Sequence, residues 1–394
     1  MTTKAKHELY TILDKLGANL DITDTQYKLA EQRYASIGKW LSEGEYCLVD
    51  KKLCLMNGEI YPQGSLKLQT AVKPLGQDEF DVDLVFFTPN VSTNDIEPME
   101  LNRLIGNRLR ENDDYKRMMN ASPDQGRLKR GWRITYANEF HLDITPSINN
   151  HVEVHSNSEL VPDRKVQDWK PSNPKDYVSW FNEIVEKVPS FKTSIGLGSI
   201  LAREDHKVVE LPENNFDKPL LKRYIQILKR HRDVMFQDKD DKPISIIITT
   251  LATKAYSYCI ENNQYDNEFD LLSDVVKYMP CFIQFNEGQH EILNPKALSE
   301  NFAERWNEVA NKKLAFDNWQ NNAQIFFESF NDIVGQNMIF ESLKNGFGKV
   351  PVSRVYEDVT NSVSSNRANG LLGLGSLTGL TDSYSMKKNT FFGN

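Results

Sequence analysis

Residues 61–87 read YPQGSLKLQTAVKPLGQDEFDVDLVFF, and this stretch decides the fold. The Gly-Ser pair, Gly64 and Ser65, predicts a turn. The apolar run that follows predicts a short strand carrying Asp81 and Asp83. Successive side chains of a strand point to opposite faces, so the two carboxylates are expected to project together. The apolar residues around them are expected to face the other way.

Two carboxylates on one face of a strand form a chemically demanding pair. They repel each other in a half-buried site, and a bound divalent cation removes that cost. Carboxylate oxygens and phosphates are the ligands that Mg²⁺ prefers, and backbone N–H groups of the Gly-Ser turn can hold a phosphate. Neither feature alone identifies a site. A Gly-Ser turn often has no ligand, and a strand face with two aspartates is often only exposed to solvent. Together they form the layout expected of a nucleotidyltransferase.

The stretch resembles the Gly-Ser…Asp-x-Asp signature of the polymerase-β-like nucleotidyltransferases. More narrowly, QGS…VKP…EFDVDLV is similar to the bacterial cGAS/DncV-like nucleotidyltransferases (CD-NTases), the cyclic-oligonucleotide synthases of CBASS anti-phage systems. That family usually has a third aspartate in a context like HLDIxP. In FHLDITPSI, Asp143 stands at that position, 60 residues after Asp83 (143 − 83). One departure is Gln69, where relatives often carry glycine before the threonine, and it bears on the loop rather than on the metal site.

The resemblance implies a set of site residues. Two Mg²⁺ ions, with Mn²⁺ as an alternative, would be held by the catalytic trio Asp81, Asp83 and Asp143. The donor nucleotide would be bound by the turn, by a lysine in ILKRHRD (227–233) and by a serine in PISIIITTLA (243–252). The nucleotide-binding residues implied in this way are Gln63, Gly64, Ser65, Lys229 and Ser245.

Composition narrows the partners and the compartment. The chain has 394 residues, with 47 Lys and Arg against 55 Asp and Glu, for a net charge of −8. This balance argues against stable binding of long nucleic acids, which depends on many cationic contacts to phosphates. No apolar run is long enough to span a bilayer, so no membrane partner is expected. The cysteines Cys47, Cys54, Cys259 and Cys281 show no metal-ligand spacing and are expected to be buried, reduced thiols of a cytoplasmic protein.

Hydrophobic periodicity predicts an α+β protein with two lobes. Residues 1–45 predict two bracing helices, the second opened by a Thr23–Gln26 capping box. The pattern over 46–160 predicts a mixed sheet with helices, which the resemblance identifies as the nucleotidyltransferase core. The pattern over 161–357 predicts a mostly helical lobe, which the resemblance implies would complete the nucleotide cleft. The composition of 358–394, rich in Ser, Asn and Gly, predicts a disordered tail.

Several helices are predicted with definite bounds. Single helices are expected over 98–115 and 320–343, and a short one over 301–306. A further helix is expected over 218–236, with Leu221, Ile225 and Leu228 on its buried face. Its polar residues at spacings of 4, 3 and 4 form a stripe on another face, and such a stripe is usually solvated. The stripe consists of Lys222, Gln226, Lys229 and Asp233.

The resemblance implies an activity, substrates and partners. The enzyme would join nucleoside triphosphates, most readily ATP or GTP, into a cyclic di- or trinucleotide that a downstream effector senses. Because some relatives are conjugated through their C-terminus by ubiquitin-transfer-like enzymes, the ending FFGN (391–394) is compatible with such a partner. An unstructured end without a role is the alternative. Rival functions are template-independent transfer to RNA or to a protein hydroxyl, and a catalytically inactive nucleotide sensor.

Overall fold

The computed structural model describes residues 1–43, 58–76, 79–137, 139–152, 157–192 and 218–368. The α+β class and the mixed sheet are confirmed. The helices are α1 (Thr3–Asn19), α2 (Asp24–Ser42), α3 (Gly64–Lys67), α4 (Pro98–Glu111), α5 (Asp113–Ala121), α6 (Pro174–Val185), α7 (Leu220–Met235), α8 (Ser245–Asn262), α9 (Glu268–Tyr278), α10 (Glu304–Glu308), α11 (Ala310–Ser329), α12 (Gln336–Phe347) and α13 (Lys349–Ala368). The strands are β1 (Glu59–Pro62), β2 (Phe80–Thr88), β3 (Trp132–Tyr136), β4 (Phe140–Asn149), β5 (Glu159–Asp163), β6 (Asp168–Ser172), β7 (Gln284–Asn286), β8 (Gln289–Glu291), β9 (Leu293–Asn294) and β10 (Ala297–Asn301).

A six-stranded sheet forms the centre of the first lobe, called the sheet lobe here. Its order is β1-β2-β4-β5-β6, and β3 also pairs with β4. Strands β2 and β4 run parallel, whereas the other pairings are antiparallel. One edge of β4 pairs with β2 along its length, while β3 and β5 share the opposite edge. The middle of β4 is therefore enclosed by β2 on one side and β3 on the other.

Two separate hydrophobic cores define the two lobes. One core joins the apolar face of β2 and β4 to α2 and α4. The other joins α1 to α6–α9 and α11–α13 and defines the helical lobe. The predicted capping box at Thr23 and Gln26 opens α2. Because α1 belongs to one core and α2 to the other, the two N-terminal helices tie the lobes together at the short turn between them.

The sheet lobe extends beyond the predicted boundary at residue 160. Strands β5 and β6 form an antiparallel hairpin that lengthens the sheet up to Ser172. This proline- and aromatic-rich segment forms an edge of the sheet, which is where strands tolerate prolines such as Pro171. The chain enters the helical lobe at α6, where Tyr177 and Phe181 join the second core.

Three helix predictions were wrong in their bounds. The helix expected over 98–115 is divided at Asn112, whose side chain accepts hydrogen bonds from Asp114 N and Tyr115 N and so caps a new helix. The helix expected over 320–343 is two helices, α11 and α12, and Gly335 before α12 has a φ of +97°. The segment 301–306 ends strand β10 and begins α10 rather than forming one helix.

The C-terminal part is more ordered than its composition suggested. Helix α13 continues to Ala368, and Val359 is fully buried, so disorder from residue 358 is wrong for this part. The rest of the tail, with its expected conjugation site, lies outside the described residues. Cys259 is buried as expected, but Cys281 is exposed. None of the described helices combines the length and apolar content needed to cross a bilayer.

Candidate active site

The parallel pairing of β2 and β4 brings three aspartates to one face of the sheet. Val82 is fully buried on one face of β2, so Asp81 and Asp83 both project from the opposite face. Asp143 on β4 is the register partner of Asp83. Neighbouring strands lie about 4.8 Å apart, so the three carboxylates lie close together on this face.

Arg133 bridges two of these carboxylates. It is the antiparallel register partner of Asp143, so its side chain lies on the same face. Its Nε donates to Asp143 Oδ1 at 2.7 Å and its Nη2 donates to Asp143 Oδ2 at 2.7 Å. The same Nη2 donates to Asp81 Oδ1 at 3.0 Å. The guanidinium thus occupies a cationic position between the carboxylates. Sequence reasoning missed Arg133, although the alternation in WRITY (132–136) and its proximity to Asp143 in the chain gave a signal.

The electrostatics of the cluster show an excess of negative charge. Burial, and then the charges of Asp143 and Asp81, raise the pKa of Asp83 to about 7, although Arg133 and Lys229 act in the opposite direction. Burial also raises the pKa of Asp143, against the hydrogen bonds from Arg133. Burial is therefore the main cause of both shifts, and repulsion from the neighbouring carboxylates adds to it.

The Gly-Ser turn packs directly on the strand of the aspartates. Gly64 has a φ of +65°, and a Cβ added there would lie 2.2 Å from Asp83 Oδ2, so the position requires glycine. The N–H of Gln63 donates to the Asp83 carbonyl at 2.9 Å. Gln63 therefore holds the turn on β2 through its backbone. The turn continues into the single helical turn α3, which begins at Gly64 and includes Ser65.

Lys229 reaches the sheet lobe from α7. Its Nζ donates to Thr70 Oγ1 at 2.9 Å and to the Thr70 carbonyl at 3.3 Å. The side chain is buried, and burial followed by the charge of Arg232 lowers its pKa to about 7. The charge of Asp83 opposes this shift, which places the ammonium within electrostatic range of the trio.

Ser245 has a different local partner. It is the first residue of α8, and its Oγ accepts a hydrogen bond from Arg232 Nη1 at 3.0 Å. The guanidinium of Arg232 also bonds the carboxylate of Asp233. The structure therefore brings Lys229 to the loop beside the turn, whereas it holds Ser245 at the start of α8 through Arg232.

The polar stripe of α7 is not solvated as predicted. Gln226 is fully inaccessible and Lys229 is 3% exposed. The stripe packs on the loop that follows α3, and the Nε2 of Gln226 donates to the Ala71 carbonyl at 2.8 Å. A polar stripe with helical spacing suits solvent and a second polar surface equally well. Here the second surface is the sheet lobe, so the stripe forms part of the interface between the lobes.

In the described residues, no group of three His, Cys, Asp or Glu side chains is arranged ready to hold a metal ion. Arg133 donates hydrogen bonds to carboxylate oxygens of Asp81 and of Asp143, and these oxygens are of the type that ligates metal ions.

Comparisons with known proteins agree on one class. Residues 8–184 match the family described as the Second Messenger Oligonucleotide or Dinucleotide Synthetase domain. The chain is 28% identical, over 100% of both chains, to the c-di-GMP synthase of Roseivirga ehrenbergii. In fold it is similar to the Bradyrhizobium diazoefficiens CD-NTase CdnG in complex with GTP, with a TM-score of 0.61 and 18% identity over 89% of this chain and 99% of that one. It is also similar to Escherichia coli DncV in its 3'-deoxy GTP bound form, with a TM-score of 0.51 and 16% identity over 89% of this chain and 88% of that one.

The comparisons therefore support a cGAS/DncV-like nucleotidyltransferase: residues 8–184 match the synthetase-domain family, and the fold is that of the CD-NTases. The matched segment 8–184 contains the Gly-Ser turn and all three aspartates. Lys229 and Ser245 lie beyond it, in the helical lobe.

Proposed function

We propose that this protein joins two nucleoside triphosphates into a cyclic dinucleotide and releases pyrophosphate. The observation that carries the proposal is the convergence of Asp81, Asp83 and Asp143 on one sheet face, beside a Gly-Ser turn and a buried lysine from the other lobe. GTP is the first candidate substrate, because the relative aligned over the whole chain is named a c-di-GMP synthase. ATP is the second.

The aspartate trio suits a pair of Mg²⁺ or Mn²⁺ ions. A cation already stands between Asp81 and Asp143, in the form of the Arg133 guanidinium. The pKa of Asp83 is raised first by burial and then by the charges of Asp143 and Asp81, and this repulsion supports the proposal that cations bind there. Bound by Asp81, Asp83 and Asp143, the ions would supply Lewis-acid activation of the acceptor hydroxyl and neutralise charge on the leaving pyrophosphate.

The remaining roles belong to this chain's own groups. The backbone at Gly64 and Ser65 holds oxygens of the donor triphosphate. Lys229 exchanges Thr70 for a phosphate oxygen, and the phosphate charge favours its protonated form. In this proposal Asp143 accepts the proton of the attacking ribose hydroxyl. Catalysis then depends mainly on positioning and on electrostatic stabilisation.

The setting of the activity is also part of the proposal. The resemblance to CBASS synthases supports a cytoplasmic enzyme in anti-phage defence, whose product is sensed by a downstream effector. It also supports conjugation of the C-terminus by ubiquitin-transfer-like enzymes. The residue after Ser245 is Ile246, whose aliphatic side chain cannot stack on a base as an aromatic ring does. Base selection is therefore expected to depend on other residues.

An inactive nucleotide sensor is the second candidate, because Arg133 occupies carboxylate oxygens that a metal ion would use. Incubation of the purified protein with all four nucleoside triphosphates and Mg²⁺ separates the two functions. Mass spectrometry should find a phosphatase-resistant cyclic dinucleotide, and pyrophosphate should accumulate. The matched Asp83→Asn variant should give both products at a rate lower by roughly 10²-fold or more. Nucleotide binding without pyrophosphate release by the wild-type protein would support the sensor and overturn the synthase.

A further inference from the structure

The loop that follows the Gly-Ser turn is held by helix α7. Four side chains of α7, spread over more than two turns, each contact one residue of segment 69–73. The contacts join Lys222 to Gln69, Lys229 to Thr70, Gln226 to Ala71 and Arg230 to Lys73. The loop belongs to the sheet lobe and α7 to the helical lobe, so these contacts set the position of one lobe relative to the other.

The same loop is bonded back to the turn. Thr70 N donates to the Ser65 carbonyl at 2.9 Å, and Leu68 N donates to the Gly64 carbonyl at 3.1 Å. Any displacement of the loop therefore displaces the backbone of Gly64 and Ser65. The position of the turn is thus linked through the loop to α7.

Gln69 is the unusual member of this set. It has a φ of +57°, a left-handed conformation in which glycine is favoured and a side chain is strained. Its Oε1 nevertheless accepts a hydrogen bond from Lys222 Nζ at 2.6 Å. A glycine would remove the strain but would also remove this attachment to the helical lobe.

Lys222 and Lys229 lie seven residues apart, which is two helical turns, so they share one side of α7. A contact that fixes Lys222 on the loop therefore also fixes where the Lys229 ammonium lies relative to the turn. Gly64, Ser65 and Lys229 are the groups expected to bind the same triphosphate.

We propose that Gln69 and Lys222 are a positioning pair that holds the phosphate-binding turn and Lys229 at the spacing required by the donor triphosphate. The inference rests on the proposed function, because it assigns the turn and Lys229 to one nucleotide. Neither member of the pair is expected to touch the reacting atoms. Losing the pair should weaken triphosphate binding and leave the chemical step nearly unchanged.

The test uses Gln69→Gly, Lys222→Met and the double variant of the full chain. Calorimetry measures Kd for a non-hydrolysable GTP analogue with Mg²⁺, and steady-state kinetics measure KM and kcat with GTP. Each single variant should raise Kd and KM about five- to tenfold, with kcat within about twofold. The double variant should be no worse than either single variant, because both remove the same contact.

Two control variants separate positioning from stability. Gln167 has a φ of +54° in the β5–β6 turn, so Gln167→Gly relieves the same backbone strain away from the site and should leave Kd unchanged. Lys254 donates to the Leu293 carbonyl within the helical lobe, so Lys254→Met removes a comparable lysine contact and should also leave Kd unchanged. Gln69→Gly should not lower Tm, because glycine suits the left-handed conformation.

An unchanged Kd in both single variants would overturn the positioning role proposed for Gln69 and Lys222. Multiplicative effects on Kd in the double variant would also overturn it. A wild-type protein that binds the analogue but does not turn over GTP would overturn the proposed function alone. The calorimetric comparison would still decide for or against the pair in that case.

Discussion

The β2–β4 face and the α7 stripe are both polar surfaces, but their charges are balanced differently. On the strand face, three carboxylates share one guanidinium, and the pKa of Asp83 is raised to about 7. On α7, the side chain of Gln226 bonds the Ala71 carbonyl, and the buried ammonium of Lys229 bonds Thr70. The repelling carboxylates of the strand face form the proposed ligand site. The paired donors and acceptors of α7 form the interface that positions the groups of this site.

The largest expected effect comes from removing one charge of the strand face. Asp83→Asn should lower the rate of pyrophosphate release by roughly 10²–10³-fold or more, as loss of a single group that stabilises charge does in other active sites. In EDTA the variant should be more stable than the wild type, by about 1 kcal/mol, because a repelled and partly buried carboxylate is removed. A coupled pyrophosphate assay and thermal unfolding provide the measurements. Undiminished turnover would show that the strand face is not the site.

The next effect concerns the contact between the turn and the strand. Gly64→Ala should lower activity by about 10²-fold, because the new Cβ would lie 2.2 Å from Asp83 Oδ2 and displace the turn. Gly76→Ala is the matched control, since Gly76 has a φ of +67° with nothing within 4 Å of an added Cβ. Both variants should lose about 1–2 kcal/mol to backbone strain. Equal activities of the two variants would refute the close-packing argument.

The third effect concerns the hydrogen-bond donor that α7 supplies to the site, which is the ammonium group of Lys229. Lys229→Met should weaken binding of a non-hydrolysable GTP analogue about 10- to 100-fold, the scale of one hydrogen bond to a charged group. Calorimetry of both proteins measures this loss. An unchanged Kd would show that the ammonium stays with Thr70 and does not bind the triphosphate.

The pH dependence of the free energy of unfolding provides a second test of Lys229. Its folded-state pKa, near 7, lies below its ordinary value of 10.5. The wild-type protein without ligands should therefore gain stability from this group as pH rises from about 7 toward 10, by no more than about 1.4 kcal/mol per pH unit. Denaturant titrations should show that Lys229→Met lacks this gain.

The smallest effect concerns the guanidinium of Arg133, which lies between the carboxylates of Asp81 and Asp143. Arg133→Met should tighten binding of Mn²⁺ to the ligand-free protein by about fivefold, because the competing guanidinium of an ion pair worth about 1 kcal/mol is removed. Electron paramagnetic resonance of free Mn²⁺ measures this affinity. Arg110→Met is the control, since Arg110 lies over the Trp132 ring and bonds the Gly106 carbonyl instead of the trio. Weaker Mn²⁺ binding by Arg133→Met would mean that the arginine supports the ligand geometry.

Much of the sheet lobe follows from local patterns. The alternation around Asp81 and Asp83 sets their common face, and the glycine at position 64 satisfies a positive φ and a close approach that glycine alone permits. Arg133 was missed because its contact with Asp143 depends on the pairing register of two strands, which periodicity does not specify.

The helical lobe was harder to predict because its contacts are not local. A polar stripe on α7 has the same spacing whether it meets water or another lobe, so Lys222 and Gln226 could not be assigned to an interface from sequence. The departure at Gln69 was visible in the sequence. Its positive φ and its contact with Lys222 were not.

The most direct test of the central claim is a crystal structure with Mn²⁺ and a non-hydrolysable GTP analogue, recorded with anomalous scattering. The account predicts two Mn²⁺ peaks about 3.5–4 Å apart, bound by Asp81, Asp83 and Asp143. The guanidinium of Arg133 should be displaced from its present contacts with Asp81 and Asp143. The triphosphate should lie against Gly64 and Ser65. Manganese bound elsewhere, with Arg133 still joined to the carboxylates, would contradict the account.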